Sequence, residues 1–261
     1  MLPTLLRSTR WNRIVYKTAQ SSINPRSDPP LSVHYHDKPT VPTQKPNLAV
    51  LCDFDGTITL NDTFEQILKK YATGDWKVFD QQYARGEINL QECLRKQGAL
   101  VRTPEMVLIA ELERVTTFRP NFGRLVTYCR SNRVPLAVVS AGLDFAIKHL
   151  LRMKGWDNLV KLYVAKSEMT PSGIKFTFPR LQDKASLSVK DDLVKRYKGQ
   201  GRKVVYVGDG IWDLDALKQS NYRYAIKGSR LATLCRENNI PAREITDFQE
   251  VVSALQYDLT P

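Results

Sequence analysis

The sequence predicts an α/β fold whose chemically active groups gather where strands end. Three observations predict it. The apolar runs Leu48-Ala49-Val50-Leu51, Val134-Pro135-Leu136-Ala137-Val138-Val139 and Lys203-Val204-Val205-Tyr206-Val207 each break into a glycine-containing loop, as buried strands do. Each ends in an acid or hydroxyl: Asp53 and Asp55 after the first, Ser140 after the second, Asp209 after the third. Segments of helical periodicity fill much of the chain between them, and in open α/β sheets ligands bind outside the carboxyl ends of the strands.

The first run continues as Cys52-Asp53-Phe54-Asp55-Gly56-Thr57. Two carboxylates at i and i+2 on an extended segment point to one side and repel unless a cation or a proton lies between them. Phosphoryl chemistry supplies a reason for the pair. Asp53 can attack phosphorus as a carboxylate nucleophile, Asp55 can protonate the leaving oxygen, and a hard cation such as Mg²⁺ can bind through oxygen ligands. The plainer alternative is a strand-end turn built from solvated aspartates.

The formal net charge is +12 and is unevenly spread. Arg7, Arg10, Arg13, Lys17 and Arg26 all precede the first acidic residue, Asp28. An arginine-rich, acid-free, amphipathic start reads as a mitochondrial targeting peptide, with the matrix as destination; a basic surface helix or a disordered tail is the plainer alternative. The Pro- and Ser-rich stretch that follows reads as a linker, so residues 1–46 are set apart from the fold. Two of the three histidines, His34 and His36, fall in that linker. No run of eighteen apolar residues appears, so no membrane span is expected. The folded part lacks a basic cluster interleaved with aromatics, which argues against a nucleic-acid partner. Cys52, Cys93, Cys129 and Cys235 are widely spaced, without a zinc or disulfide pattern. Strand alternation turns Cys52 away from Asp53, as a core residue.

Residues 61–118 have helical character. Phe64, Ile67, Leu68 and Tyr71 make one stripe, Trp76, Phe79 and Tyr83 a second, and Leu90 and Leu94 a third. An all-helical insertion after the first strand reads as a cap over the site, leaving residues 47–60 and 119–261 as the core domain. Asp62 is a candidate substrate contact, although Asp62-x-x-Glu65 also makes a helix capping box. Arg95 is a candidate for binding an anionic group, or a solvated surface arginine.

After the second strand, the hydroxyl of Ser140 and nearby backbone N–H groups, including that of Gly142, can hold phosphoryl oxygens. Alternating runs at Lys161–Val164 and Ile174–Phe178, with a Pro-Ser-Gly turn between them, read as a strand and a hairpin at the sheet edge. Ser188-x-x-Asp191 is a capping box that puts Lys190 in a first helical turn. A cation there opposes the helix dipole unless an anion is near, which favours a phosphate-facing Lys190 over the alternative, Lys184. Asp209 is placed to complete a cation site with Asp53 and Asp55, and Asp213 to brace it or hold Lys190.

In this order, Asp53-Phe54-Asp55-Gly56-Thr57, Ser140, Lys190, and Gly208-Asp209-Gly210 with Asp213 resemble the haloacid dehalogenase-like phosphohydrolase superfamily, from about Asn47 onward. The resemblance implies a parallel Rossmann-like sheet with Mg²⁺ at its carboxyl edge. It implies Asp53 as the nucleophile that becomes an aspartyl-phosphate, Asp55 as acid and base, and Ser140 and Lys190 as phosphoryl ligands. Mg²⁺ would be held by Asp53, the main-chain carbonyl of Asp55, and Asp209, with Asp213 in support. Within the superfamily the chain is similar to the phosphoserine phosphatase-like group with a helical cap. Asp62 matches that group's amino-binding acid and Arg95 its carboxylate-binding arginine. Trp212 stands where that group usually has Asn. The run from Cys235 to Val252 looks more like fungal relatives of the phosphocholine/phosphoethanolamine phosphatases, and the Cys-rich stretch of methionine-salvage phosphatases is missing before Lys190. The expectation is therefore a phosphatase of a small phosphomonoester, with the substrate left open. A noncatalytic phospholigand-binding protein of the same fold is the alternative.

Overall fold

The computed structural model describes residues 47–257, so the expected targeting peptide and linker lie outside the described residues. In chain order the elements are β1 (Leu48–Cys52), α1 (Thr63–Tyr71), α2 (Lys77–Ala84), α3 (Leu90–Gly98), α4 (Glu105–Val115), α5 (Phe122–Ser131), β2 (Leu136–Ser140) and α6 (Asp144–Met153). They continue with β3 (Lys161–Val164), β4 (Lys166–Thr170), β5 (Gly173–Thr177), α7 (Val189–Gly199), β6 (Lys203–Gly208) and a 3₁₀ turn (Ile211–Asp213). The last are α8 (Leu214–Gln219), β7 (Tyr222–Ile226), α9 (Arg230–Glu237), β8 (Arg243–Ile245) and α10 (Gln249–Tyr257).

Six strands form one sheet in the order β3-β2-β1-β6-β7-β8, and every pairing in it is parallel. Alternation decides which side chains face which layer. Leu48, Val50 and Cys52 of β1 join Val205 and Val207 of β6 on one face, against Leu125, Ile147 and Val251. Ala49 and Leu51 join Val204 and Tyr206 on the other, against Leu193, Leu217 and Leu231. A sheet covered by helices on both faces requires strands apolar at every position. Fully burying one Val or Leu stabilises by about 1.5–3 kcal/mol, so the strands can carry a few costly polar groups at their tips. Cys52 is fully buried in this core, and burial pushes its thiol pKa well up, as expected of a structural residue.

The chain leaves β1 for β2 on one side and later enters β6 on the other, so the strand order reverses at β1. That switch point sets the tips of β1, β2 and β6 side by side.

Between Asn61 and Phe118 lie only helices, α1 to α4. The two ends of this insertion leave the core together, joined by the Thr59–Phe118 bridge and by hydrogen bonds from Leu60 N–H to Thr117 O (2.8 Å) and from Arg119 N–H to Ile58 O (2.7 Å). Phe64, Ile67 and Leu68 are buried as their spacing predicts, with Val101, Leu108 and Leu112, against Leu143 and Ala146 of α6. In α3, however, the buried residues are Cys93, Gln97 and Gly98, and Leu94 is only half-buried. The cause is close packing of α3 on β5. The hairpin also differs from expectation: β3 is the edge strand beside β2, whereas β4 and β5 form a separate two-stranded ladder. Its apolar residues Ile174 and Phe176 pack into the insertion, with Phe176 edge-on to Phe64 at 5.5 Å between centroids.

Candidate active site

The tip of β1 turns sharply because the Phe54 carbonyl accepts the N–H groups of Ile58 (2.8 Å) and Thr59 (3.0 Å). Gly56, inside this turn, has φ +71°, and a Cβ there would lie 2.3 Å from Asp209 Oδ2. Only glycine lets the two acid-bearing loops approach so closely. Arg119 fixes the turn from outside, donating from Nε to Thr57 O and from Nη2 to Gly56 O, each at 2.7 Å.

Lys190 reaches the site from the first turn of α7, which opens with the predicted reciprocal capping box of Ser188 and Asp191. Its Nζ lies 2.8 Å from Asp53 Oδ2 and 2.7 Å from Asp213 Oδ1, and all three side chains are buried. Burial alone would lower the lysine pKa, but Asp213 and Asp53 outweigh it and hold the ammonium charged above its ordinary value. Lys184, the other candidate, is exposed on the preceding loop. Each ion removed from water costs several kcal/mol, so a buried ion triad is weak evidence of stabilisation. A functional reason for it carries more weight.

Asp213 is fully buried and its oxygens are fully engaged. Oδ1 accepts from Lys190 Nζ and from the Tyr206 hydroxyl (2.7 Å), and Oδ2 from the backbone N–H groups of Asp209 (3.0 Å) and Gly210 (2.8 Å). Its oxygens have no room for a further ligand, so it braces the loop and the lysine. Asp53, Asp209 and Asp213 each place a carboxylate oxygen within 4.8 Å of one another. With Asp213 occupied, Asp53 and Asp209 remain to bind. Asp209 Oδ1 accepts from Thr57 Oγ1 (2.7 Å), which leaves Oδ2 open. The Asp55 carbonyl accepts no hydrogen bond among the described residues. This all-oxygen donor set fits Mg²⁺.

Asp55 is held differently. Its Oδ1 accepts from the backbone N–H (2.8 Å) and the hydroxyl (2.6 Å) of Thr63, which aims Oδ2 at the Ser140 hydroxyl, 3.4 Å away. Gly142 donates its N–H to Ser140 Oγ (3.0 Å), and a Cβ there would lie 2.6 Å from Asp55 Oδ2. The observed work of Gly142 is thus to orient Ser140 and make room for Asp55.

Burial raises the pKa of Asp53 well above its ordinary value, with Asp213 adding to the shift, and burial likewise raises that of Asp55. Burial, and then Asp213, push Asp209 up to about 6. A carboxylate whose folded pKa is raised favours folding in its protonated form. The Asp209 contribution is therefore fully present below the ordinary value of 3.8 and lost as pH rises through about 6. The metal-free protein is expected to melt at a higher temperature near pH 5 than near pH 7, and Mg²⁺ to recover the difference. A metal-free melting temperature that climbs over this interval would contradict the crowding of charge described here.

The two expected cap contacts stand apart. Asp62 N-caps α1, accepting from Glu65 N–H at 2.8 Å. It lies open at the mouth of the site, where partial desolvation by surrounding protein and the Asp55 charge raise its pKa to about 7. Arg95 is exposed on α3. Its guanidinium lies 5.1 Å from the centroid of the Phe178 ring and 3.5 Å from Gln91 Oε1, with no ion pair to the acidic cluster. Thr63, Arg119 and Tyr206 also contact the site, though no motif marks them. Tyr206 sits mid-strand among valines and carries no local signal of its role.

A parallel sheet with carboxylates at the tips of its central strands, a buried lysine between two of them and a hydroxyl from the neighbouring strand defines a hydrolase of the α/β class. The chain belongs to the haloacid dehalogenase-like hydrolases, whose family model matches residues 48–221. It is 29% identical over 214 residues to a 2-hydroxy-3-keto-5-methylthiopentenyl-1-phosphate phosphatase of Brevibacillus brevis, covering 80% of this chain and 95% of the relative. The enzyme of that name from Geobacillus kaustophilus is also 29% identical, covering 80% and 96%. In fold the chain is similar to a phosphoserine phosphatase solved as a phospho-aspartyl intermediate analogue, with a TM-score of 0.60, 20% identity, and coverage of 82% of this chain and 99% of that one.

Proposed function

We propose that the chain is a Mg²⁺-dependent phosphoric monoester hydrolase that acts on a small phosphorylated metabolite through an aspartyl-phosphate on Asp53. The observation that carries this reading is the division of labour between two buried carboxylates. Asp53 is paired to the Lys190 ammonium, which favours its ionised form against burial and Asp213, whereas Asp55 has one oxygen pinned by Thr63 and the other directed toward Ser140. One environment suits a nucleophile and the other a proton carrier. The names of the two bacterial relatives support the same reaction class.

Asp53 attacks phosphorus as the ester P–O bond breaks, and Asp55 gives its proton to the departing alkoxide. Water then surrenders a proton to Asp55 and attacks phosphorus, which frees phosphate and restores the Asp53 carboxylate. Lys190 and the Ser140 hydroxyl, which the Gly142 N–H orients, hold the equatorial oxygens, where charge is spread in the transition state. Asp53, the Asp55 carbonyl and Asp209 would hold Mg²⁺, which when bound neutralises charge on the transferring group. The helical insertion serves as a cap that excludes water and meets the leaving group, and residues 1–46 direct the chain to the mitochondrial matrix.

The test is phosphate release by the full chain with Mg²⁺ over a panel of phosphoserine, phosphocholine, polyol phosphates, pyridoxal phosphate and 2-hydroxy-3-keto-5-methylthiopentenyl-1-phosphate. Turnover of at least one ester, stopped by a chelator, is expected. A folded protein silent on all of them would favour the noncatalytic ligand-binding alternative. For the location, a reporter fused to residues 1–45 is expected in mitochondria, and a cytosolic reporter would remove that part of the proposal.

A further inference from the structure

Trp212 follows Asp209 by three residues and directly precedes Asp213, so its Cα lies within about 11 Å of that of Asp209. The turn that carries it is rigid, because Asp213 binds the N–H groups on both sides of the Asp209–Gly210 peptide and is itself tied to Lys190 and Tyr206. The indole meets Tyr83 of α2, with ring centroids 4.3 Å apart. Neither ring belongs to any of the hydrophobic cores. The pair therefore joins the insertion to the sheet domain without being required by the packing of either.

The two sides of this contact differ in how they are held. Helix α2 has no fully buried residue and no side-chain N-cap, and Gly74 and Gly86 lie on either side of it. Gly86 takes φ +72° with nothing within 4 Å of a Cβ placed there. Helix α2 is held to α3 chiefly through Asp80, which accepts from Gln97 Nε2 at 2.8 Å, and an element with so little burial opens at lower cost than the sheet, with glycines next to it to absorb the motion. Tyr83 therefore sits on the less anchored side of the contact and Trp212 on the braced one. Ile211, which precedes Trp212 in the same turn, is 46% exposed and adds apolar surface there. The two charged cap candidates are poorly suited to an anionic leaving group: Arg95 lies over Phe178, and Asp62 is an acid.

We propose that Trp212, with Tyr83 closing against it, is the specificity-determining surface of the site, and that it selects phosphomonoesters whose alcohol carries an apolar or planar face and no second anionic group. This rests on the phosphatase reading. On substrate entry Tyr83 moves off the indole with α2, the apolar part of the alcohol takes its place, and the ring closes behind it. Aromatic contacts of this kind discriminate by buried area, and a single apolar group is worth about tenfold to a few hundredfold in kcat/KM.

The experiment compares hexyl phosphate with phosphoserine, two alkyl esters, in the full chain and in Trp212→Ala, Trp212→Phe and Tyr83→Ala. The readout is the ratio of the two kcat/KM values. The wild-type ratio is expected to favour hexyl phosphate, to fall about tenfold in Trp212→Ala and less in Tyr83→Ala, and to be largely restored in Trp212→Phe. A wild-type preference for phosphoserine, or a ratio unmoved by both alanine variants, would overturn the proposal. Tyr83→Ala removes no core contact, so it keeps the test decisive if Trp212→Ala fails to fold. Calorimetric binding of hexylphosphonate, which cannot be hydrolysed, separates this inference from the hydrolysis it rests on. Binding that Trp212→Ala weakens, with no turnover of any ester, would uphold the surface and refute only the hydrolase reading; no binding would refute the surface as well.

Discussion

An Asp53→Asn protein is expected to fold, to melt within a few degrees of the wild type without metal, and to release no phosphate. The first part follows from the hydrogen bonds at this side chain. Asp53 Oδ1 accepts from the Phe54 N–H (2.8 Å) and Oδ2 from Lys190, so an amide satisfies one donor and loses the other. A lost hydrogen bond costs about 1 kcal/mol. Against this, the substitution removes one charge from a group of buried acids whose repulsion and burial already raise their pKa values. Lys190 keeps Asp213 at 2.7 Å, so its ammonium is not stranded. The catalytic loss has no such offset. A carboxamide is not a nucleophile, and removing a nucleophile costs at least about 10⁴-fold in kcat. Phosphate release beside a thermal melt in chelator checks both halves. Activity within about a hundredfold of the wild type would place the nucleophile elsewhere.

The parts of this site that are legible in the sequence share one property: the signal lies within a few residues. Asp53 and Asp209 are visible because an acid directly after an apolar strand is costly without a purpose, and the strand is recognised by its own side chains. Lys190 is visible because the capping box fixes the start of its helix, which makes a cation in the first turn conspicuous. Arg119 has no such signal. Its bonds to the carbonyls of Gly56 and Thr57 span 63 and 62 residues and exist only because the insertion begins and ends at one point. Thr63 lies only 8 residues from Asp55, yet as the first residue of a helix it looks like ordinary capping context. Position in a motif also does not fix what a side chain touches, as Arg95 over Phe178 illustrates. Alternation misleads in a related way at the hairpin. It reports that β4 and β5 have an apolar face but not which surface covers it, and the covering surface is α3 and its neighbours.

The bracing role of Asp213 leads to the opposite balance of effects from Asp53. Asp213→Asn is expected to destabilise the protein by about 3–5 kcal/mol, because the fully buried carboxylate accepts from four donors and each donor left without an acceptor costs about 1–3 kcal/mol. Asn is the mildest possible change here, and still neither orientation of its amide works. With its NH₂ toward Lys190 and Tyr206 it opposes an ammonium and a hydroxyl that both donate; flipped, it opposes the N–H groups of Asp209 and Gly210. The side chain is fully buried, so water cannot take over the lost acceptors. Nor can the site relax by moving, since a Cβ on Gly208 would already lie 2.5 Å from the Asp213 carboxyl carbon. The same loosening reaches the chemistry. The loop presenting Asp209 loses its anchor, and Lys190 is left with Asp53 alone, so kcat/KM is expected to fall about 10²–10³-fold through lost preorganisation. Urea unfolding of both proteins in chelator measures the first effect and initial rates the second. An unfolding free energy within about 1 kcal/mol of the wild type would mean that Asp213 is an ordinary buried acid, because most substitutions without a specific mechanism fall in that range.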